Sequence, residues 1–184
     1  MAKYSYRGSG GRFTRHQEAL EEMVQKAAKI GEEACKYAYE HKGYYLNPQS
    51  GYIPTYNIGD SIGSAVYVDG VLREDTIRYA VNPPVAKDLY LDKGWGGSMS
   101  YISGRQALER YWKNNQTLPR SRKNVIEIVC VAATFYSGIL EHSKIQVISA
   151  AADYLASVAS DPQYKDYKPR LNAVESGLYL GEHR

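Results

Sequence analysis

The chain is short of the residues and spacings that mark most site chemistry. Among its 184 residues, cysteine occurs twice, at Cys35 and Cys130. The two lie far apart and form no metal-ligand spacing. Cys35 falls in a helical apolar stripe and Cys130 in an apolar strand, so both read as buried thiols of a protein made in a reducing compartment. Histidine occurs four times, at His16, His41, His142 and His183, never at the spacing of a metalloprotease helix. The glycine-rich run Gly94-Trp95-Gly96-Gly97 follows no clear strand and carries no Lys-Ser/Thr partner, which excludes a P-loop or a dinucleotide fingerprint. A nucleophile elbow and a zinc-finger pattern are both missing. Glu141 and His142 are adjacent on a short helix and therefore point in different directions. The Asp60-Ser61 pair precedes a strand and reads as a cap or turn. The expectation is a non-enzymatic chain with no catalytic residues, no cofactor and no metal.

Long apolar runs are also lacking. No stretch of about 18 apolar residues can span a bilayer, and no N-terminal apolar run resembles a signal peptide. The expectation is a soluble protein with no membrane partner. The net charge of +3 is too mild to mark a nucleic-acid binder, because such proteins concentrate basic charge on one face. Phenylalanine and tryptophan occur twice each, against 18 tyrosines. Tyrosine combines a large contact area with a polar tip and suits surfaces that a partner covers.

What is present is an ordered series of pattern signals. Thr14 and Gln17 form a capping-box pattern, followed by a stripe at helical spacing (Leu20, Met23, Val24, Ala27, Ile30, Gly31, Ala34, Cys35, Ala38). The opposite face is charged, with Glu22 and Lys26, and Glu32 and Lys36, four apart. Residues 43–60 read as a loop. Ile62, Ser64, Val66 and Val68 then alternate with Gly63, Ala65 and Tyr67, which predicts a strand. Asp69-Gly70 predicts a two-residue hairpin turn with positive φ at both positions. The partner strand runs through Val71, Leu72, Thr76, Ile77 and Tyr79. Two prolines and the glycine-rich run make residues 82–99 a long loop. Ser103 and Gln106 predict a second capping box opening a helix with Ala107, Leu108, Tyr111 and Trp112 on its apolar side. The run Val125–Tyr136 predicts a buried central strand. Ile145, Val147 and Ile148 predict a fourth short strand, with Ser149 capping a last helix that ends before Pro162.

These signals predict an α+β fold: a long N-terminal helix packed on a small, mostly antiparallel, four-stranded sheet (61–68, 71–81, 125–134, 145–148), with two further short helices. Residues 14–160 form a single domain between an N-terminal arm (1–13) and a C-terminal arm (161–184). The arms and the 82–99 loop carry aromatic side chains but little that buries a core of their own. Tyr4, Tyr6, Tyr90, Trp95, Tyr164, Tyr167 and Tyr179 are therefore the candidate interface residues. The basic loop 114–123, with Arg120, Arg122 and Lys123, is the candidate contact for phosphate or an acidic partner. With the basic N-terminal arm it supports an alternative reading as a nucleic-acid-binding module. A small enzyme with an unrecognised site is a third.

The residues Asn57, Ile58, Asp60, Ser61, Ile62, Gly63, Ala65, Val66, Tyr67, Asp69 and Gly70 form a phrase, N-Φ-x-D-S-I-G-x-A-V-Y-V-D-G, where Φ is apolar. It resembles the hairpin phrase of the tail-completion, or head–tail connector (neck), proteins of tailed bacteriophages, closest to the versions from phages of Bacteroidetes. The order of elements is similar over residues 14–160, including the helix SGRQALERYW and a segment in which Tyr136, Ser137, Leu140 and Glu141 match a Y-A-x-x-x-E pattern. The chain departs from the family pattern where Tyr56 follows Thr55. The resemblance implies a non-enzymatic structural virion protein at the neck, made in the host cytoplasm. It would form a homo-oligomeric ring that connects the portal or adaptor to tail proteins, helps to complete or seal the junction, and can contact genomic DNA.

Overall fold

The computed structural model describes residues 10–41, 56–93, 99–118, 125–142, 146–161 and 170–176. The long helix α1 spans Gly10–His41. A single helical turn, α2 (Asn57–Asp60), leads into strand β1 (Ile62–Val68), which turns into β2 (Val71–Tyr79). A short ribbon follows, β3 (Tyr90–Asp92) and β4 (Ser100–Ile102), then helix α3 (Gly104–Asn114). Strand β5 (Ile126–Ala132), helices α4 (Ser137–His142) and α5 (Ser149–Ser160), and strand β6 (Arg170–Ser176) complete the order.

Alternation in β1 decides the layering. Ile62 and Val66 join Ile128, Cys130 and Ala132 of β5 beneath α1 and α5, where Val24, Ala27, Ala34 and Leu155 are buried. Ala65 and Tyr67 face the other way with Val129 and Val131, and are covered by Leu108, Tyr111 and Trp112 of α3. A sheet apolar on both faces needs two covers, and β5 reads as one continuous apolar run because it is buried on both sides. The sheet order is β2-β1-β5-β6, with β1 antiparallel to both β2 and β5.

Asp69 and Gly70 have φ of 52° and 81°, and Val68 pairs with Val71 across them, as a two-residue turn requires. The β1–β2 ladder is interrupted between Ser64 and Val66, opposite a bulge in β2. The Thr76 hydroxyl bridges the break: it accepts from the Val66 amide at 2.9 Å and donates to the Arg73 carbonyl at 2.6 Å. On α3, Ser103 and Gln106 form the complete capping box.

Four expectations are corrected. Helix α1 begins at Gly10, inside the expected N-terminal arm, so Thr14 is not its cap. There is no strand at 146–148. Val147 and Ile148 are buried, but their amides, with that of Ser149, donate to the Glu141 carboxylate instead of to a neighbouring strand. Ser149 is accordingly not the cap of α5; that role falls to Glu141, whose charge suits a helix N-terminus. The fourth strand is β6, inside the expected C-terminal arm, and it runs parallel to β5. A parallel neighbour needs a crossover connection, and α4 and α5 lie on that connection.

Helix α1 comes close against the sheet at Gly31. A Cβ there would lie 2.9 Å from Ile128 Cγ2 and 2.9 Å from Ser64 Oγ, both anchored on central strands. Gly31→Ala should therefore destabilise the protein by about 1–3 kcal/mol through overpacking, whereas Lys29→Ala on the exposed face should change stability by less than about 0.5 kcal/mol. Denaturant titration of the two variants checks this.

Candidate interaction surface

The phrase that precedes β1 folds into a buried junction. Asn57, Ile58, Gly59 and Asp60 of α2 are all buried. The Asn57 side chain is spent in two directions: Nδ2 donates to the Asp88 carbonyl at 2.9 Å, and Oδ1 accepts from the Gly104 amide at 3.0 Å. A Cβ on Gly104 would stand 1.8 Å from the Asn57 carbonyl oxygen, so only glycine lets α3 start this close to α2. The Asp60 carboxylate accepts from the Val85 amide with both oxygens at 2.9 Å and from the Ala86 amide at 2.6 Å. Ser61 Oγ donates to the Ile58 carbonyl at 2.6 Å. One helical turn thus pins the start of α3 and the chain at Val85, Ala86 and Asp88. A buried carboxylate is tolerated because backbone amides replace its water.

What this junction holds out is the β3–β4 ribbon. Alternation gives it two unlike faces. Inward, Tyr90 packs edge-on against Tyr136, with ring centroids 5.3 Å apart. Asp92, also inward, is paired with Arg110 at 3.2 Å, and Ile102 is buried. Burial holds the Tyr90 hydroxyl well above the usual phenol range. Outward, Leu91 and Tyr101 are direct cross-strand partners, at 39% and 71% exposure, flanked by Leu89 at 56% and Met99 at 55%. The exposed Tyr56 and Val85 belong to the same junction; of the large exposed apolar side chains, only Met23 and Val71 lie elsewhere among the described residues. Apolar exposure concentrated on one element makes the ribbon the candidate interaction surface, whereas single scattered residues carry no such meaning.

The expected interface residues fare unevenly. Tyr90 is folded inward and is no free contact, because the ribbon's alternation puts it on the core side. Tyr4, Tyr6, Trp95, Tyr164, Tyr167 and Tyr179 lie outside the described residues, as do Arg120, Arg122 and Lys123. Their neighbours in sequence are already engaged: the Arg105 guanidinium stacks 3.6 Å from the Tyr79 ring centroid and donates to the Val81 carbonyl, while Arg110 holds Asp92. Leu89, Leu91, Met99 and Tyr101 escaped the sequence reading. The signal was the alternation of Leu89, Tyr90, Leu91 and Asp92 and of Met99, Ser100, Tyr101 and Ile102, hidden by the glycine-rich run between them. Among the described tyrosines only Tyr56 and Tyr101 are exposed. Tyr67 is fully buried and donates its hydroxyl to the Asn115 carbonyl at 2.6 Å.

An open groove of about 470 Å³ between α1 and β2 is lined by Gln17, Glu18, Leu20, Glu21 and Arg73. Two of its charges, Arg73 and Glu21, are satisfied locally: Arg73 bonds Glu21 at 2.8 Å and Asp75 at 3.1 Å, and Gln25 and Arg73 hold the Glu21 carboxyl below its usual range. No group of His, Cys, Asp and Glu among the described residues is arranged to hold a metal ion. No described helix is long and apolar enough to cross a membrane.

Asp60→Asn retains one acceptor but turns an NH₂ group toward the Val85 and Ala86 amides. A cost of about 1–3 kcal/mol is expected, with amide exchange at 85–92 accelerated by roughly tenfold or more beyond any change in β1 and β5. Residue-resolved hydrogen exchange checks it. Comparison of the chain with protein-family models, with curated proteins and with solved structures finds no match.

Proposed function

We propose that the chain is a structural subunit of an oligomeric ring at a bacteriophage head–tail junction, joining the portal side to the tail. The observation that carries this reading is the outward apolar face of the β3–β4 ribbon, held on a buried junction built from the resembling phrase. Asn57, Asp60 and Ser61 of that phrase spend their polar groups on backbone. Ile62, Val66 and Tyr67 are core, and Asp69 and Gly70 make the turn. A phrase used wholly for geometry belongs to a scaffold that presents a surface. The ribbon suits repeated contact, because a ring covers one patch on every subunit by repeating one heterologous contact around an axis. Within the expected C-terminal arm, residues 170–176 pair with β5 of their own chain.

The test is self-association of the purified chain, followed by sedimentation over a concentration series. Tyr101→Asp should weaken it by roughly 30-fold or more, the effect of losing about 2 kcal/mol at a central aromatic contact. The monomer's melting temperature should hardly change, because the side chain is exposed. Association of undiminished strength in the variant would contradict the reading.

A further inference from the structure

We propose that Cys35 and Cys130 form an intramolecular disulfide site that staples α1 to the central strand β5. The two are separated by most of the fold in sequence, and the packing brings them together. Gly31, one helical turn before Cys35, touches Ser64 and Ile128. Ser64 is the cross-strand partner of Cys130, which lies two residues beyond Ile128 on the same face of β5. Cys35 and Cys130 accordingly sit in one buried cluster beneath α1, where the Cys35 thiol interacts with that of Cys130. Both cysteines are free and buried.

The co-reactant is a small-molecule disulfide such as oxidised glutathione. The thiolate of one cysteine attacks a glutathione sulfur, its S–S bond breaks, and a mixed disulfide forms with release of one glutathione. The second cysteine's thiolate attacks the protein sulfur of that mixed disulfide and expels the other glutathione. The protein loses two protons and two electrons, and the oxidised glutathione gains them as two thiols. Burial pushes the Cys35 thiol up, and both sulfurs are closed off from a reagent the size of glutathione, because Cys35 and Cys130 are buried. Exchange therefore waits for α1 to lift, and its rate becomes independent of oxidant concentration once opening limits it.

The experiment treats the reduced full-length chain with oxidised glutathione, alone and in mild urea that lets α1 open, and reads intact mass and a non-reducing peptide map. The expected product is a monomer without glutathione, lighter by two hydrogens, in which the Cys35 and Cys130 peptides are joined. Its melting temperature should rise by on the order of 10 °C and fall back on reduction. Cys35→Ala and Cys130→Ala, small apolar replacements that suit the stripe, should each leave only a free thiol or a glutathione adduct. Thiols that stay free in urea although exchange shows α1 opening would overturn the proposal. Stable double glutathione adducts, or disulfides linking separate chains, would do so equally.

Discussion

Everything that reaches out from the sheet depends on the contact between α2 and the start of α3. The Asn57 carbonyl sits where a side chain on Gly104 would be, and the Asn57 amide group ties that start to the Asp88 carbonyl. Loosening this contact frees three things together: the N-terminus of α3, the segment held by Asp60, and the ribbon between them. The energetics are those of buried polar groups, where each lost partner leaves a desolvated donor or acceptor at about 1–3 kcal/mol. A turn of four residues, too short to be stable as a helix alone, is kept by the hydrogen bonds that others make to it.

The sheet supplies the fixed frame for that junction. With β1 and β5 buried on both faces, α1 and α5 cover one side and α3 the other. Asp69 adds a clasp: its carboxylate accepts from the Val125 amide at 2.8 Å, and its own amide donates to the Val125 carbonyl at 2.9 Å. The β2 edge is blunted by a bulge and by charged Arg73, Glu74 and Asp75, which discourages strand addition there. Exposed apolar side chains gather on the ribbon, with Val71 of β2 and Met23 of α1 standing apart from it.

Local signals were legible where they were self-contained. The Asp69-Gly70 turn, the Ser103/Gln106 capping box and the small-residue stripe of α1 each specify geometry within a few residues, and each was read correctly. One local signal misled, since the Thr14/Gln17 capping-box pattern falls inside α1; the other misreadings involve a distant partner. Val147 and Ile148 look like a strand because burial, and not pairing, makes them apolar; the group that takes their amides, Glu141, lies several residues earlier. Strand β6 has a polar sequence whose pairing with β5 depends on a crossover that periodicity cannot reveal. The ribbon's strands are three residues each, too short for alternation to stand out, and the residue chosen from it, Tyr90, faces inward against Tyr136. Of the candidate surface, the anchoring residues Asn57 and Asp60 were visible within the phrase, while the displayed side chains were not.

In the proposed ring at the head–tail junction, the ribbon face is buried between copies of this chain. A density map of purified virions resolving the neck tests it most directly. The account predicts a closed ring of this chain with Leu91 and Tyr101 of each copy covered by its neighbour. A neck lacking the chain, or a ring in which those side chains face solvent all round, would contradict it.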